Sequence, residues 1–274
     1  MDDRRGGAIA FLARRGQRCA PALVPRLAWP HYLCMKDTKP PLLAVLIDAD
    51  NIPARHAEAI LKEVTSYGEP ALRRVYGDWA APRLQPWARK VHALGLVAHQ
   101  ETANTKGKNA SDIGLVIDAM DLLHTGRFDG FVLVSSDSDF TALANRIREH
   151  GLDVIGIGEG KTPESLRNVC TRFVMIENIV EEPAEAPAVG PSEKPASAKR
   201  PSIEAQPLIL KAMEKIDQDG EWYQLGLIGQ TIQAQVRDFD TRTYGKAKLS
   251  DLIRDLKRFE TKRDGNHIYV RRLD

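Results

Sequence analysis

The sequence has 274 residues, of which 43% are apolar and 28% charged, and its formal net charge is +2. This composition is typical of a globular protein with more than one core. So small a net charge means that a nucleic-acid partner has to be held by local basic patches. The three cysteines show no CxxC spacing, which argues against a disulfide framework or a zinc site and favours a reducing, cytoplasmic setting. The longest apolar runs are far shorter than the roughly 20 residues of a membrane-spanning helix, so we expect no membrane partner.

The first 40 residues are predicted to be a disordered extension or the product of a misassigned start. Their apolar stretch, residues 8–13, is too short for a secretory signal, and Asp2 and Asp3 stand where basic residues are expected. Met35 precedes a polar segment and the first clear strand. It is therefore an equally good start.

Residues 41–180 alternate short apolar runs with amphipathic stretches, which indicates βα units around a central parallel sheet. The pattern predicts strands near 42–47, 72–76, 96–100, 130–135, 153–157 and 173–177. It predicts helices near 54–66, 83–94, 110–124, 140–150 and 164–169. In the third helix, one apolar stripe is expected to face the core: Ile113, Val116, Ile117, Met120 and Leu123.

Residues 181–204 are rich in Pro, Ala, Glu, Lys and Ser, a composition that predicts a flexible linker. Residues 205–274 form a second domain. Two stretches of helical periodicity are followed by a terminal hairpin, whose turn is marked by Asp264 and Gly265. Helices followed by such a hairpin indicate a small winged-helix domain.

Acidic residues follow two of the predicted strands. Asp48 ends the first strand, and Asp137 and Asp139 follow the fourth. In open α/β sheets, ligands bind beyond the carboxyl ends of the strands, where the strand order reverses. If the two strands are neighbours, Asp48 and Asp137 lie close enough to share a cation.

Two further residues complete the candidate site: Asp112 opens the third helix, near its positive end, and Asn51 follows the first strand. Oxygen ligands without His or Cys favour Mg²⁺ or Mn²⁺ over zinc. Such ions activate water and stabilise charge on a phosphodiester. The structural alternative is that these acids cap helices, the SSDSD segment capping the helix that begins near Phe140.

Three ordered motifs, VLIDADN, KGKNASDIGLVIDAM and FVLVSSDSDF, resemble the NYN (LabA-like) branch of the PIN-like ribonucleases over roughly residues 41–180. The resemblance implies a Rossmann-like PIN fold and a Mg²⁺- or Mn²⁺-dependent ribonuclease. It implies an acidic centre of Asp48, Asp112, Asp137 and Asp139, with Asn51 on a polar position of the first motif. Asp50 falls where the family varies, and Asp118 lies off the face of Asp112.

Basic and aromatic residues near this centre are candidates for RNA contact. Lys106 and Lys108 lie in the loop before Asp112, where ammonium groups would reach backbone phosphates. Tyr76 and Trp79 follow the second strand and would either stack on an unpaired base or pack in the core or its rim.

The stretches PLILKAMEKI, EWYQLGLIGQTIQ, TRTYGKAKLSDLIRDL and HIYVRR resemble the LOTUS (OST-HTH) winged-helix family over most of residues 205–273. The resemblance implies an RNA-binding or protein-docking module. Its candidate RNA-binding residues are Arg242, Tyr244, Lys246 and Lys248, at the entry to the predicted recognition helix, with Arg263, Arg271 and Arg272 in the wing.

The sequence leaves alternative functions open. The preferred one is a ribonuclease acting on single-stranded RNA, with the linked module raising the local RNA concentration through a flexible tether. The second is a haloacid-dehalogenase-like phosphatase, in which Asp48 is the nucleophile and Asp50 the acid/base. The third is a non-catalytic RNA-binding or scaffold protein.

Overall fold

The structure is a computed structural model that describes residues 39–100, 110–180, 199–216 and 220–273. In the described residues, the larger sheet has six parallel strands in the order β3-β2-β1-β4-β5-β6. The strands are β1 (Leu42–Asp48), β2 (Glu69–Gly77), β3 (Val97–Gln100), β4 (Gly130–Val134), β5 (Asp153–Gly158) and β6 (Arg172–Met175). This is the doubly wound Rossmann-like order, and it reverses between β1 and β4.

Helices cover both faces of this sheet. They are α1 (Ala57–Val64), α2 (Gln85–Ala93), α3 (Ala110–Thr125), α4 (Thr141–Glu149), α5 (Glu164–Val169) and α6 (Ile176–Ile179). Alternate residues of β1 enter two different cores: Val45 and Ile47 pack with Trp87 on one face, and Leu46 packs with Phe131 on the other. Burial on both faces explains why β1 and β4 are nearly continuous apolar runs.

Some sequence predictions need correction in this domain. Short 3-10 turns, Ala54–His56, Pro82–Leu84 and Ser138–Phe140, precede α1, α2 and α4. The last strand ends at Met175, and Glu177 lies in α6. The expected core stripe of α3 is confirmed for Leu123, which is buried, and in part for Val116 and Met120, which pack against the core. It is wrong for Ile113 and Ile117, which are each 59% exposed, because the helix turns Leu115, Ala119 and Leu122 to the core.

The C-terminal domain contains α7 (Gln206–Lys215), α8 (Leu225–Gln235) and α9 (Leu249–Asp255). Its antiparallel sheet has the order β7-β9-β8, from β7 (Tyr223–Gln224), β8 (Phe259–Asp264) and β9 (His267–Arg272). The predicted hairpin is confirmed, and Gly265 adopts the positive φ of 57° that its turn requires. A separate apolar core, including Ile209, Ile228 and Leu252, holds this winged-helix domain together.

Two predicted segments lie largely outside the described residues, namely the N-terminal extension up to residue 38 and residues 181–198 of the linker. A 3-10 turn at Ser202–Ala205 leads into α7. Among the helices that the structure describes, none combines the length and apolarity needed to cross a membrane.

Close packing of β5 against β6 makes a stability prediction at Gly156. A Cβ there would lie 2.5 Å from Cδ2 of Phe173 and 2.8 Å from Sγ of Cys170. We expect Gly156→Ala to lower the free energy of unfolding by about 1–3 kcal/mol through overpacking, measured by urea denaturation.

The control is Gly226→Ala in α8, where an added Cβ meets nothing within 4 Å. Because alanine favours a helix over glycine, this variant should be neutral or more stable by up to about 1 kcal/mol. Equal effects of the two substitutions would contradict the packing described for Gly156.

Candidate active site

The site is built around the carboxylate of Asp48, at the end of β1. This side chain is only 3% exposed. Its Oδ1 accepts hydrogen bonds from the backbone N–H groups of Asp50 (3.1 Å) and Asn51 (3.2 Å). Its Oδ2 accepts one from the Ser135 hydroxyl, at 2.9 Å. Donors on both oxygens therefore fix the carboxylate at the edge of the sheet.

Burial raises the pKa of Asp48 to about 7. The hydrogen bond from Ser135 opposes this shift, whereas the nearby carboxylates of Asp112 and Asp50 add to it. A charged carboxylate is disfavoured in such surroundings unless a cation or a proton compensates it.

The loop after β4 completes this edge because β1 and β4 are hydrogen-bonded neighbours. Ser135 Oγ also accepts a hydrogen bond from the Asp137 N–H (3.1 Å), and Asn51 Oδ1 accepts one from the Ser136 N–H (3.1 Å). Ser135 is not among the residues predicted from the sequence. It could have been found as a hydroxyl at the first position after the buried strand β4, beside Asp48 at the end of the neighbouring strand β1.

Asp137 caps a turn, as the structural alternative predicts, and its side chain also lies at the candidate site. Its Oδ1 accepts a hydrogen bond from the Asp139 N–H at 3.0 Å, at the start of the Ser138–Phe140 turn. Only one oxygen takes part in that bond. The cap therefore leaves the second oxygen for a further ligand.

Asp112, in the first turn of α3, brings a third carboxylate to the same edge. Burial is the largest cause of its raised pKa, followed by the charges of Asp137, Asp50 and Asp139. Asp112, Asp137 and Asp139, which the sequence predicts to share one site, therefore lie close enough for their charges to interact. Asp50 is held by Arg83 (2.9 Å) and by the Ser111 hydroxyl (3.0 Å).

Asp118 belongs to a separate cluster. It accepts hydrogen bonds from the Arg74 guanidinium and the Tyr76 hydroxyl. Tyr76 is fully buried, so the core alternative is correct for this ring and base stacking is not. Trp79 is partly buried and donates from Nε1 to the carbonyl of His99 at 2.7 Å.

The donor chemistry of the four acids fits a hard divalent cation, because all are carboxylates. Besides burial, the charge of Asp112 raises the pKa of Asp48, and the charges of Asp137 and Asp139 raise that of Asp112. In the described part of the chain, no three acidic, His or Cys side chains form a ready-made metal-binding group. Binding a cation here would therefore require these side chains to move closer together.

The expected RNA-binding residues have varied environments. Lys106 and Lys108 lie outside the described residues. Arg242 pairs with Glu63 and Asp240, and Tyr244 is buried in the winged-helix core. Lys246 forms an ion pair with Asp255 at 3.1 Å, and Lys248, just before α9, is exposed.

Comparison with protein families agrees with this architecture. The model of the NYN domain matches residues 42–177, and that of the OST-HTH/LOTUS domain matches residues 197–270. The chain contains an NYN domain and a C-terminal LOTUS domain. The first is a PIN-like nuclease domain and the second an RNA-binding domain, so the pair supports a nuclease with an RNA-binding module. This favours the nuclease over the phosphatase alternative.

Two solved structures resemble the chain more distantly. A protein of unknown function from Vibrio parahaemolyticus is 20% identical, covers 52% of this chain and 96% of its own, and gives a TM-score of 0.43. MurG of Acinetobacter baumannii is 13% identical over 78% of this chain and 70% of its own, with a TM-score of 0.35. TM-scores below 0.5 do not establish a shared fold. None of the curated proteins matches the sequence significantly.

The raised pKa of Asp48 predicts a pH-dependent stability difference between Asp48→Asn and the wild type in EDTA. Between the ordinary aspartate pKa of 3.8 and the native value of about 7, the native wild type binds more protons than the unfolded chain, so its stability falls as the pH rises. Asp48→Asn does not titrate at this position and so does not lose stability in this way. The free energy of unfolding of the variant minus that of the wild type should therefore rise from pH 4 to pH 7 by on the order of 3 kcal/mol and then level off.

Urea denaturation at intervals between pH 4 and pH 8 measures this difference. Asparagine preserves the acceptor for the two backbone N–H groups, and its amide can donate to Ser135 Oγ, so the contact with Ser135 is kept with the direction of its hydrogen bond reversed. A stability difference independent of pH would contradict the burial of a titrating carboxylate at this position.

Proposed function

We propose that the NYN domain is a Mg²⁺- or Mn²⁺-dependent ribonuclease that hydrolyses phosphodiester bonds of single-stranded RNA. The observation that carries the proposal is the fixed, buried carboxylate of Asp48 beside Ser135 and Asp137, where the strand order reverses. A cluster of carboxylates at the point where strand order reverses is suited to a cation and to an anionic ligand that binds through it.

Asp48, Asp112, Asp137 and Asp139 would hold the cation, which activates water and stabilises charge on the phosphodiester when it is bound. The protein's own contribution is rigidity. Ser135 donates to Asp48 and accepts from the backbone of Asp137, so one hydroxyl sets the relative position of the two proposed ligands. Asn51 ties the loop after β1 to the loop after β4 through its bond from the Ser136 N–H.

The RNA backbone is expected to be held by scattered basic groups, since the net charge is only +2. Lys106 and Lys108 precede Asp112 in sequence and remain proposed phosphate contacts. In the LOTUS domain, Lys248 is exposed, and Lys246 has a single, more exposed partner in Asp255, so both remain candidates. Arg242 and Tyr244 are weaker candidates, because Arg242 pairs with two largely buried carboxylates and Tyr244 is buried. A protein partner of the LOTUS domain stays a prediction.

Cleavage of labelled single-stranded RNA with Mg²⁺, Mn²⁺ or EDTA tests the proposal. We expect metal-dependent cleavage by the wild type, with Asp48→Asn and Asp137→Asn each at least about 100-fold slower, since even outer-shell partners of metal ligands contribute about 10- to 100-fold. Asp121→Asn, an exposed acid on the solvent side of α3, is the matched control and should cleave normally.

Folded protein that binds RNA and never cleaves it would favour the non-catalytic alternative. A variant Asp50→Asn adds a second distinction. It should weaken a nuclease only moderately, because Asp50 pairs with Arg83 and Ser111, but it should inactivate a phosphatase that uses this residue as its acid/base.

The bridging hydroxyl makes a prediction of its own. Ser135→Ala removes the donor to Asp48 and the acceptor for the Asp137 N–H while retaining every proposed ligand. We expect cleavage to fall about 10- to 100-fold at limiting metal and to recover in part at high Mn²⁺ concentration. Ser138→Ala, an exposed hydroxyl in the same loop, controls for changes to the loop itself. Unchanged metal dependence in Ser135→Ala would contradict its positioning role.

A further inference from the structure

The LOTUS domain contacts the NYN domain through residues 236–243, which we call the docking segment. Its backbone meets the edge strand of the larger sheet: the Phe173 N–H in β6 donates to the carbonyl of Arg237 at 3.0 Å. The Arg237 guanidinium returns a hydrogen bond to the carbonyl of Thr171, at 3.4 Å. The segment therefore covers the exposed edge of β6.

Arg242 forms the strongest polar contact of the docking segment. Its two terminal nitrogens each lie 2.9 Å from an oxygen of Glu63 in α1, a bidentate arrangement. The same guanidinium contacts Asp240, whose carboxylate is buried. The Arg242 hydrogen bonds are the largest cause of the lowered pKa of Glu63. Bidentate, partly buried pairs of this kind are stronger and more specific in geometry than ordinary surface ion pairs.

Two further contacts lie on other elements of the NYN domain. Arg167 in α5 pairs with Asp238 at 2.7 Å, and the pair is largely shielded, with side chains 18% and 26% exposed. Asn178 in α6 donates to the Thr243 hydroxyl at 2.9 Å. Contacts at α1, α5, α6 and β6 are spread over the surface, so together they restrict rotation as well as separation.

We propose that the docking segment holds the LOTUS domain in a fixed position on the NYN domain, so that RNA is cut at a set distance from the part that the LOTUS domain holds. Arg242 and Arg167 are then positioning residues. The cleavage part of this inference rests on the proposed ribonuclease function, whereas the fixed position does not.

The contacts fix where the docking segment meets the NYN domain. Glu63 lies in the last turn of α1, shortly before Glu69 pairs with Leu42 at the start of β1. The segment therefore contacts the domain away from the carboxyl ends of the strands, where the acidic residues lie, and RNA has to span this separation. A flexible chain of the length of the predicted linker, residues 181–204, would have an end-to-end distance of roughly 25 Å. A freely tethered domain would raise the local RNA concentration without selecting a cleavage position. Docking therefore predicts a single distance between the domains and a narrow set of RNA product lengths. Tethering predicts a broad range of both.

The first arm of the test measures the distance between spin labels on Arg89→Cys and Lys257→Cys, exposed positions in the two domains. Cys19→Ser and Cys34→Ser remove two native thiols, and Cys170 is fully buried. The full-length protein should give one narrow distance distribution. In the opened variant, Glu63→Arg with Arg167→Asp, like charges face each other at both ion pairs. This variant should give a broader distance distribution.

Adding Arg242→Glu and Asp238→Arg to that variant reverses both ion pairs, and Asp240→Asn removes the carboxylate that would repel the new glutamate while it still caps the Thr241–Tyr244 turn. This charge-reversed variant should restore the narrow distribution, which also shows that the altered chain folds. Glu149→Arg disrupts the exposed Arg146–Glu149 pair of α4 and should leave the distance unchanged. A wild-type distribution as broad as that of the opened variant would overturn the fixed position.

The second arm joins a single-stranded oligouridine to Lys257→Cys through a thiol-reactive end and maps the cleavage products. We expect a narrow set of product lengths from the wild type, a spread of lengths from the opened variant, and recovery in the charge-reversed variant. Equally broad products from all three would overturn the set cleavage distance. No cleavage with a narrow label distance would reject the ribonuclease proposal and leave the fixed position supported.

Discussion

The parallel pairing of β1 with β4 is the contact on which the candidate site depends. Strand order reverses there, and the two strands end side by side without a helix between their carboxyl ends. Asp48 and Ser135 are consequently 87 positions apart in sequence and within hydrogen-bonding distance in space. Both strands are buried on each face, so the polar groups at their ends cannot shift without disturbing two cores.

A buried acid with acidic neighbours is unfavourable for the free protein. The fold lessens this disadvantage only in part, through the Ser135 hydroxyl and two backbone N–H groups, and the pKa of Asp48 stays near 7. The hydrogen bonds therefore do not offset the whole unfavourable interaction among the carboxylates, and the site still attracts positive charge. The same carboxylates that oppose one another would all gain from a shared cation, which is why the electrostatics of the free site support a metal-dependent activity.

The residues that sequence predicted well are those whose environment is set locally or by strand ends. Apolar runs located the strands, and acids just beyond them located Asp48 and Asp137. Sequence is silent where a distant partner sets the surroundings of a side chain. Arg242 is basic and precedes a helix, which led to its prediction as an RNA contact, and nothing near it in sequence indicates its partner Glu63, 179 positions away. Likewise α3 is apolar on more than one face, so periodicity alone could not tell that Ile113 and Ile117 are exposed.

The docking segment also changes how the two domains depend on each other. An open sheet of this kind has two edges, and β6 forms one of them. The Phe173 N–H is satisfied by the Arg237 carbonyl, and the Phe173 side chain is buried, so the LOTUS domain supplies a backbone acceptor to the edge strand of the NYN sheet. A substitution that separates the docking segment from β6 would therefore leave this edge donor unpaired as well as release the LOTUS domain.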